Sequence, residues 1–216
     1  MTIQSTDTVE VTSGSVTVDV DGLLIVDGTL NNDSGTVSVN GNLAINGTVN
    51  NGGTMSSGGF ISIGGSDDGP ITGGTLNNGG TINVVQGSIG NNFGVIDNGG
   101  TINVETGLST LAEMVAGITN DNVITNGGTI SIGSEGAVLN LQGALITNAG
   151  TIDNNGTIRN LAAIISNVGI INDSGGTIDN DTGTIYNSGV IWNMGGGSIT
   201  GNAPKPSSSN SGIVLQ

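Results

Sequence analysis

Asn78-Gly79-Gly80-Thr81-Ile82-Asn83-Val84 recurs unchanged, further along the chain, as Asn98-Gly99-Gly100-Thr101-Ile102-Asn103-Val104. Its centre, Gly-Thr followed by an aliphatic residue, returns along most of the chain. Copies stand at Gly28-Thr29-Leu30, Gly47-Thr48-Val49, Gly128-Thr129-Ile130, Gly156-Thr157-Ile158 and Gly183-Thr184-Ile185, among others. Looser copies include Gly14-Ser15-Val16, Gly87-Ser88-Ile89 and Gly197-Ser198-Ile199. From Thr75 through Thr81, Ser88 and Val95 to Thr101 the steps along the chain are six, seven, seven and six. Such a step holds one short strand and one tight turn. Alternation within Thr81-Ile82-Asn83-Val84 sends Ile82 and Val84 to a core and Thr81 and Asn83 to an outer wall. Asn-Gly pairs, such as Asn51-Gly52, Asn78-Gly79, Asn98-Gly99 and Asn126-Gly127, read as corners whose glycines supply positive φ.

Asn-Gly between strands is also a hairpin signal, so an antiparallel meander competes. Hairpin strands this short, almost without aromatic partners, would be weak. Stacking each strand on its equivalent in the next coil explains the steady beat better, and lets Asn side chains form ladders between coils. The expected fold class is therefore all-β: a parallel β-solenoid (β-helix) of nine or ten short coils with extended terminal tails. Three steps make a triangular coil of about 20 residues, at the short end of the periods that stacked repeats show. The wider-spaced echo of Gly150-Thr151-Ile152-Asp153-Asn154 in Gly176-Thr177-Ile178-Asp179-Asn180 suggests four-sided coils or insertions instead. At a rise of ~4.8 Å per coil, the rod would be on the order of 45 Å long.

Composition narrows the function. Gly is 41 of 216 residues without a Gly-X-Y period, which excludes collagen. The only aromatic residues are Phe60, Phe93, Tyr186 and Trp192, so the core must be built of Ile, Val and Leu. Gly- and Asn-rich chains of net charge -15 are often disordered, but such chains lack a regular apolar beat. Arg159 and Lys205 are the only cations against 17 acidic residues, which argues against nucleic acid and anionic membrane surfaces as partners. Membrane insertion is not expected, because the longest apolar run, Leu23-Leu24-Ile25-Val26, is far too short. No cysteine is present for disulfide or thiolate chemistry. Met1-Thr2-Ile3-Gln4 has neither a basic nor an apolar leader region, so export by another route, a leader already removed, or release by lysis is the expectation.

The beat divides the chain into an N-terminal extension (1–13), a solenoid (14–202) interrupted by an insertion near 105–122, and a linker with a C-terminal strand (203–216). In the insertion Leu108, Leu111, Met114 and Val115 have helical spacing, and a short helix and a strand pair fit equally. Ala203-Pro204-Lys205-Pro206 and the serines after it read as a linker. Ile213, Val214 and Leu215 then form a strand that is expected to dock on the open edge of a neighbouring molecule, with Val9 and Val11 as partners across subunits. These five are the candidate assembly residues.

No catalytic constellation is visible. Without His, Ser-His and Cys-His chemistry and most zinc sites are closed. No Gly-rich loop carries a phosphate-binding Lys. Only Asp67-Asp68 are adjacent carboxylates, with no cation to assist glycosidic cleavage. An enzyme and a resident cofactor are therefore not expected. Asp19, Asp21, Asp67, Asp68, Asp179 and Asp181 are calcium candidates, since hard cations take oxygen ligands; the competing reading is solvated charge that keeps a rod soluble.

The Gly-Thr-Ile-Asn-Asn-like phrases over residues 14–200 resemble the right-handed β-helix repeats of filamentous haemagglutinin-type exoproteins and autotransporter passenger domains. That resemblance implies a right-handed β-helix and a role as surface adhesin or fibre. The chain is short for those families and shows neither their leader nor their secretion domain, which favours a repeating unit. The expected function is a structural protein that self-assembles, as a homopolymer, into an extracellular filament, sheath or appendage through stacked solenoids and exchanged tail strands. The alternative is a viral fibre or cell-surface adhesin that binds a surface ligand through its Thr/Asn face, and an ice-binding face ranks below both.

Overall fold

The Gly-Thr-Ile phrase forms a four-residue strand in which the second and fourth side chains are buried. In Thr81–Val84, Ile82 and Val84 are enclosed while Thr81 and Asn83 are partly exposed. The computed structural model describes residues 1–65, 73–106, 109–110, 113–114, 117–206 and 212–215. Among them the strands wind into three parallel sheets of ten strands each. Every third strand falls on the same side, so the molecule is a three-sided parallel β-solenoid of about ten coils. The first sheet starts with Thr2–Ile3, the second with Thr8–Val11 and the third with Ser15–Val18. They end with Ser198–Gly201, Lys205–Pro206 and Ile213–Leu215.

Thr81 pairs with Thr101 and Ile82 with Ile102, a coil of the length that three steps predict. The coil is longer where Phe60 pairs with Ser88, across residues 66–72, and again where Val95 pairs with Val123, across the 107–116 insertion. The wider-spaced echo is not a coil length. Thr151–Asn154 lies in the third sheet and Thr177–Asn180 in the first, so the same phrase has moved to the next side. In the insertion Ser109–Thr110 pairs antiparallel with Glu113–Met114, which is the strand-pair reading; Leu108, Leu111 and Val115 lie outside the described residues.

The central Asn residues are not corners. Asn51, Asn78, Asn98 and Asn126 occupy the fourth strand position and point inward. Along the second sheet, Asn32, Asn51, Asn78, Asn98, Asn126, Asn148, Asn167 and Asn187 form an unbroken buried ladder. Each Nδ2 from Asn32 to Asn167 donates to the Oδ1 of the next coil at 2.7–2.8 Å, and Asn187 Nδ2 ends the ladder on Ile213 O at 3.3 Å. The second amide proton goes to a backbone carbonyl where the chain turns into the third sheet, for example from Asn98 to Thr129 O at 3.0 Å. Buried amides need both partners, and this geometry supplies them within the repeat itself. A second ladder of Asn91, Asn120, Asn140, Asn160 and Asn180 runs inside the first sheet. Outward Asn31, Asn50 and Asn77 form a shorter ladder on the wall, as the repeat suggested.

The expected cause fails at the Asn-Gly glycines: Gly52, Gly79, Gly99 and Gly127 lack positive φ, and a Cβ at Gly79, Gly99 or Gly127 would meet nothing closer than 3.8 Å. The constrained glycines are the ones that follow them. Neither Gly80 nor Gly100 has positive φ. They are glycines because a Cβ at Gly100 would collide with Gly80 O, and one at Gly80 with Gly53 O. Those carbonyls accept from Thr101 N and Thr81 N at 2.9 Å. The backbones of successive coils thus meet at a bare column that no side chain can enter.

Removing an inner amide should cost more than removing an outer one. Asn98→Val leaves Asn126 Oδ1 without its donor and Asn78 Nδ2 without its acceptor and should destabilise the fold by about 2–4 kcal/mol; Asn77→Ala should cost less than about 1 kcal/mol. Chemical denaturation of both variants checks this, and equal losses would contradict the ladder's role.

Candidate assembly ends and outer faces

The solenoid's terminal coils carry its half-buried core residues. The buried core runs the length of the rod, and the partly buried apolar residues packed against it are Val9, Val16 and Ile199. Val9 and Val16 belong to the first coil and Ile199 to the last. Val214 points inward by its register with Ile191, yet it is 40% exposed. Among the described residues, both terminal coils thus carry inward apolar side chains that are partly exposed, and their first- and third-sheet strands have an edge without a described neighbour.

The stretch read as an N-terminal extension contains rungs of the first coil. Ile3 pairs with Val26, and Val9 and Val11 pair with Leu30 and Asn32. Val11 is buried and Val9 half-buried. The C-terminal strand departs from expectation. Ile213, Val214 and Leu215, expected to dock on a neighbouring molecule, pair in register with Val190, Ile191 and Trp192 of their own chain. Lys205 and Pro206, inside the expected linker, pair with Tyr186 and Asn187. The physical reason is proximity: after Ser198–Gly201 the next side of the same coil is vacant, and the tail fills it with no loss of translational freedom.

The outer faces change character along the rod. On the third sheet, Thr36, Thr54, Thr81, Thr101, Thr129 and Thr151 stand in one column, in register from coil to coil. Ile170, Val190 and Ile213 continue the column, with exposed Trp192 and Leu215 beside it. A shallow open groove lies between the third and first sheets, lined by Val20, Asn40, Asn42, Phe60, Gln86 and Ser88. None of these six is a general acid, base or nucleophile in its ordinary state.

The calcium candidates are dispersed. Asp19 and Asp21 sit exposed between the first-coil strand Ser15–Val18 and Leu23–Val26. Asp179 accepts from Arg159 Nε at 3.2 Å, and Asp181 is exposed at the next corner. Asp67 and Asp68 lie outside the described residues. Among the described residues no group of three or more Asp, Glu, His or Cys side chains converges on one point.

One carboxyl is fully enclosed. Asp173 takes the inward fourth position of the third sheet, between Asn154 and Asn193. Asn154 Nδ2 donates to its Oδ1 at 2.7 Å, while Asp173 Oδ2 and Asn193 Oδ1 have no hydrogen-bond partner. Burial pushes the carboxyl above its ordinary value of 3.8; the Asn154 hydrogen bond and the nearby Ser198 amide pull it down more weakly. A linear reading passes over this group, because Asn172-Asp173 reads as one more corner. In-register comparison with Asn154 is the signal that would have found it.

No family model matches the chain, and neither a curated protein nor a solved structure matches it.

A carboxyl raised in the folded state stabilises when protonated, so its contribution is fully present below the unfolded value and is lost as pH rises through the folded value. Asp173→Asn removes the buried charge and extends the amide ladder to Asn193. The variant should melt higher than the parent at pH 7, by about 2–4 °C for each kcal/mol in a chain of this size. The gap should narrow as pH falls towards 4. A gap that stays constant with pH would mean that the charge is not the cause.

Proposed function

We propose that this chain is a structural subunit that self-assembles end to end into a filament, sheath or appendage outside the cell or on its surface. The observation that supports the reading is the pair of terminal coils: three parallel sheets run from the first coil to the last, and among the described residues inward apolar side chains are partly exposed at both. A second copy stacked on the axis would extend the first and third sheets by backbone hydrogen bonds and cover Val9, Val16, Ile199 and Val214; on the second sheet Pro204 and Pro206 have no N–H to donate to an incoming strand. Tail strands contribute as the last rung of their own coil, so no exchange between chains is needed. A structural role asks for no catalytic residue or resident cofactor, and calcium bound at dispersed surface carboxylates would screen charge rather than build a site. With only Arg159 and Lys205 as cations, the surface offers no cluster for phosphates.

The adhesin reading keeps one specific support, the column of six threonines from Thr36 to Thr151, whose flat polar surface suits a repetitive ligand. Ice is one such ligand, but Ile170, Val190 and Ile213 interrupt the hydroxyl column.

Electron microscopy of the purified protein at neutral pH decides between the readings. Long uniform fibres with a layer spacing of about 4.8 Å are expected. Discrete rods at all concentrations would sink the polymer and turn attention to what the threonine face binds.

A further inference from the structure

The outward third position of the second sheet forms one continuous column. It starts at Glu10, passes through Asn31, Asn50, Asn77, Asp97, Thr125, Thr147, Ser166 and Tyr186, and ends at Lys205. Its two terminal members are opposite charges on opposite ends of the rod. Lys205 is one of two cations in the chain, and the other, Arg159, is engaged with Asp179 in the first sheet. Glu10 and Lys205 are both exposed.

We infer that the last coil of one molecule receives the first coil of a second copy of this chain in a single register, fixed by Lys205 of one against Glu10 of the next. The inference rests on the end-to-end reading above and adds its direction, its phase and the residues that set them. Continuing the existing register by one rung places Glu10 directly over Lys205 on the second sheet. On the third sheet it brings half-buried Val16 over the inward but exposed Val214. On the first sheet it sets the exposed edge of Thr2–Ile3 over that of Ser198–Gly201, where Gly201 leaves space beneath buried Ile3.

A rotation of the incoming copy by one side removes this match. The first-coil residues at the same outward position on the other sheets are Thr2 and Thr17, neither of which is charged. Head-to-head contact is disfavoured too: it would face Glu10 with Glu10 and Lys205 with Lys205, and would run the strands antiparallel. An exposed ion pair adds little affinity by itself. Its effect is on choice of partner and register, where like charges in contact are strongly disfavoured. Backbone pairing on the first and third sheets and apolar burial supply the affinity; on the second sheet Pro204 and Pro206 offer no N–H, so contact there is between side chains.

The test is charge reversal at both ends of the full chain. Glu10→Lys and Lys205→Glu each place like charges at the junction, and each alone should raise the concentration needed for polymerisation on the order of tenfold. Mixed in equal amounts, the two variants present opposite charges at every junction where they alternate in the favourable order, since each supplies like-charged ends that the other can match. The double variant E10K/K205E restores an opposite pair at every junction and should polymerise like the parent. Sedimentation of each sample at several protein concentrations reads this out, and circular dichroism confirms that the unassembled variants keep their β structure. If the parent polymerises and both single variants do so equally well, the register inference falls while end-to-end assembly stands. Single variants that are impaired while the double variant is not rescued would also overturn it. If the parent forms no polymer at all, the assembly reading itself fails.

Discussion

The structure depends on one repeated hydrogen bond, the one between the amides of inward-facing Asn side chains in successive coils. An amide carries donor and acceptor on one plane, and parallel in-register stacking presents an identical amide about 4.8 Å above and below. The Nδ2 of Asn98 therefore finds Asn126 Oδ1 while its own Oδ1 is met by Asn78. A shift by a single position would turn the ladder outward and drive the Thr/Asn wall into the core. A shift of a whole side is the subtler hazard, because Gly-Thr-Ile occurs on all three sheets. In the second, third and fourth coils the second sheet has Asn at its fourth position where the others have Val26, Ile45, Ile63, Val39, Ser57 and Val84. That difference labels the side. Near the C-terminus Asn160, Asn167 and Asp173 put a polar group on every side, and coils already in place must guide the next.

Ladders have direction, and their beginnings are costly. Each inner ladder donates towards the C-terminal coil, so the first member has a carbonyl with nothing above it. The orphan oxygens include Asn32, Asn91 and Asn154 Oδ1, the starts of the inner runs on the second, first and third sheets. Above them stand Val11, Ile63 and Ile132, which cannot donate from their side chains. A buried unpaired acceptor costs about 1–3 kcal/mol, which a long ladder recovers over its many paired members and a short one does not. The run from Asn154 to Asp173 is the weakest of the three, since a carboxylate ends it after one step.

Much of this was legible from the alternation and the beat. Two-residue periodicity alone places Ile82 and Val84 inward, and three steps of six or seven give the triangular coil. Asn78 is harder, because Asn-Gly has two physical meanings. As an isolated pair it marks a turn, whereas in a stack it marks the last inward residue before a backbone contact. Only the relation between coils separates the two, and a linear reading treats each pair alone. The same limit hides the reason for Gly80 and Gly100, whose crowding comes from the backbone of the preceding coil. At the ends, Val9, Val11 and Ile213–Leu215 stand out by strand propensity, but Lys205 reads as linker because two prolines flank it. Its value appears only when the register is traced from Tyr186.

Charge gives the proposed polymer its shape. Acidic residues number 17 against two cations, so two rods side by side would oppose many like charges along their length. Stacked on the axis, the same rods bring only their terminal coils within a Debye length of about 8 Å at physiological salt. Axial contact gains backbone hydrogen bonds on the first and third sheets and covers four apolar side chains; lateral contact gains no backbone pairing. The strand edges therefore favour growth in length while the surface charge opposes growth in width. A chain with a balanced surface would lack the second restraint, and its exposed Ile170, Trp192 and Leu215 would then draw rods together sideways. The scarcity of cations is thus not only a solubility device: it separates the direction in which the fold can extend from the directions in which it must not.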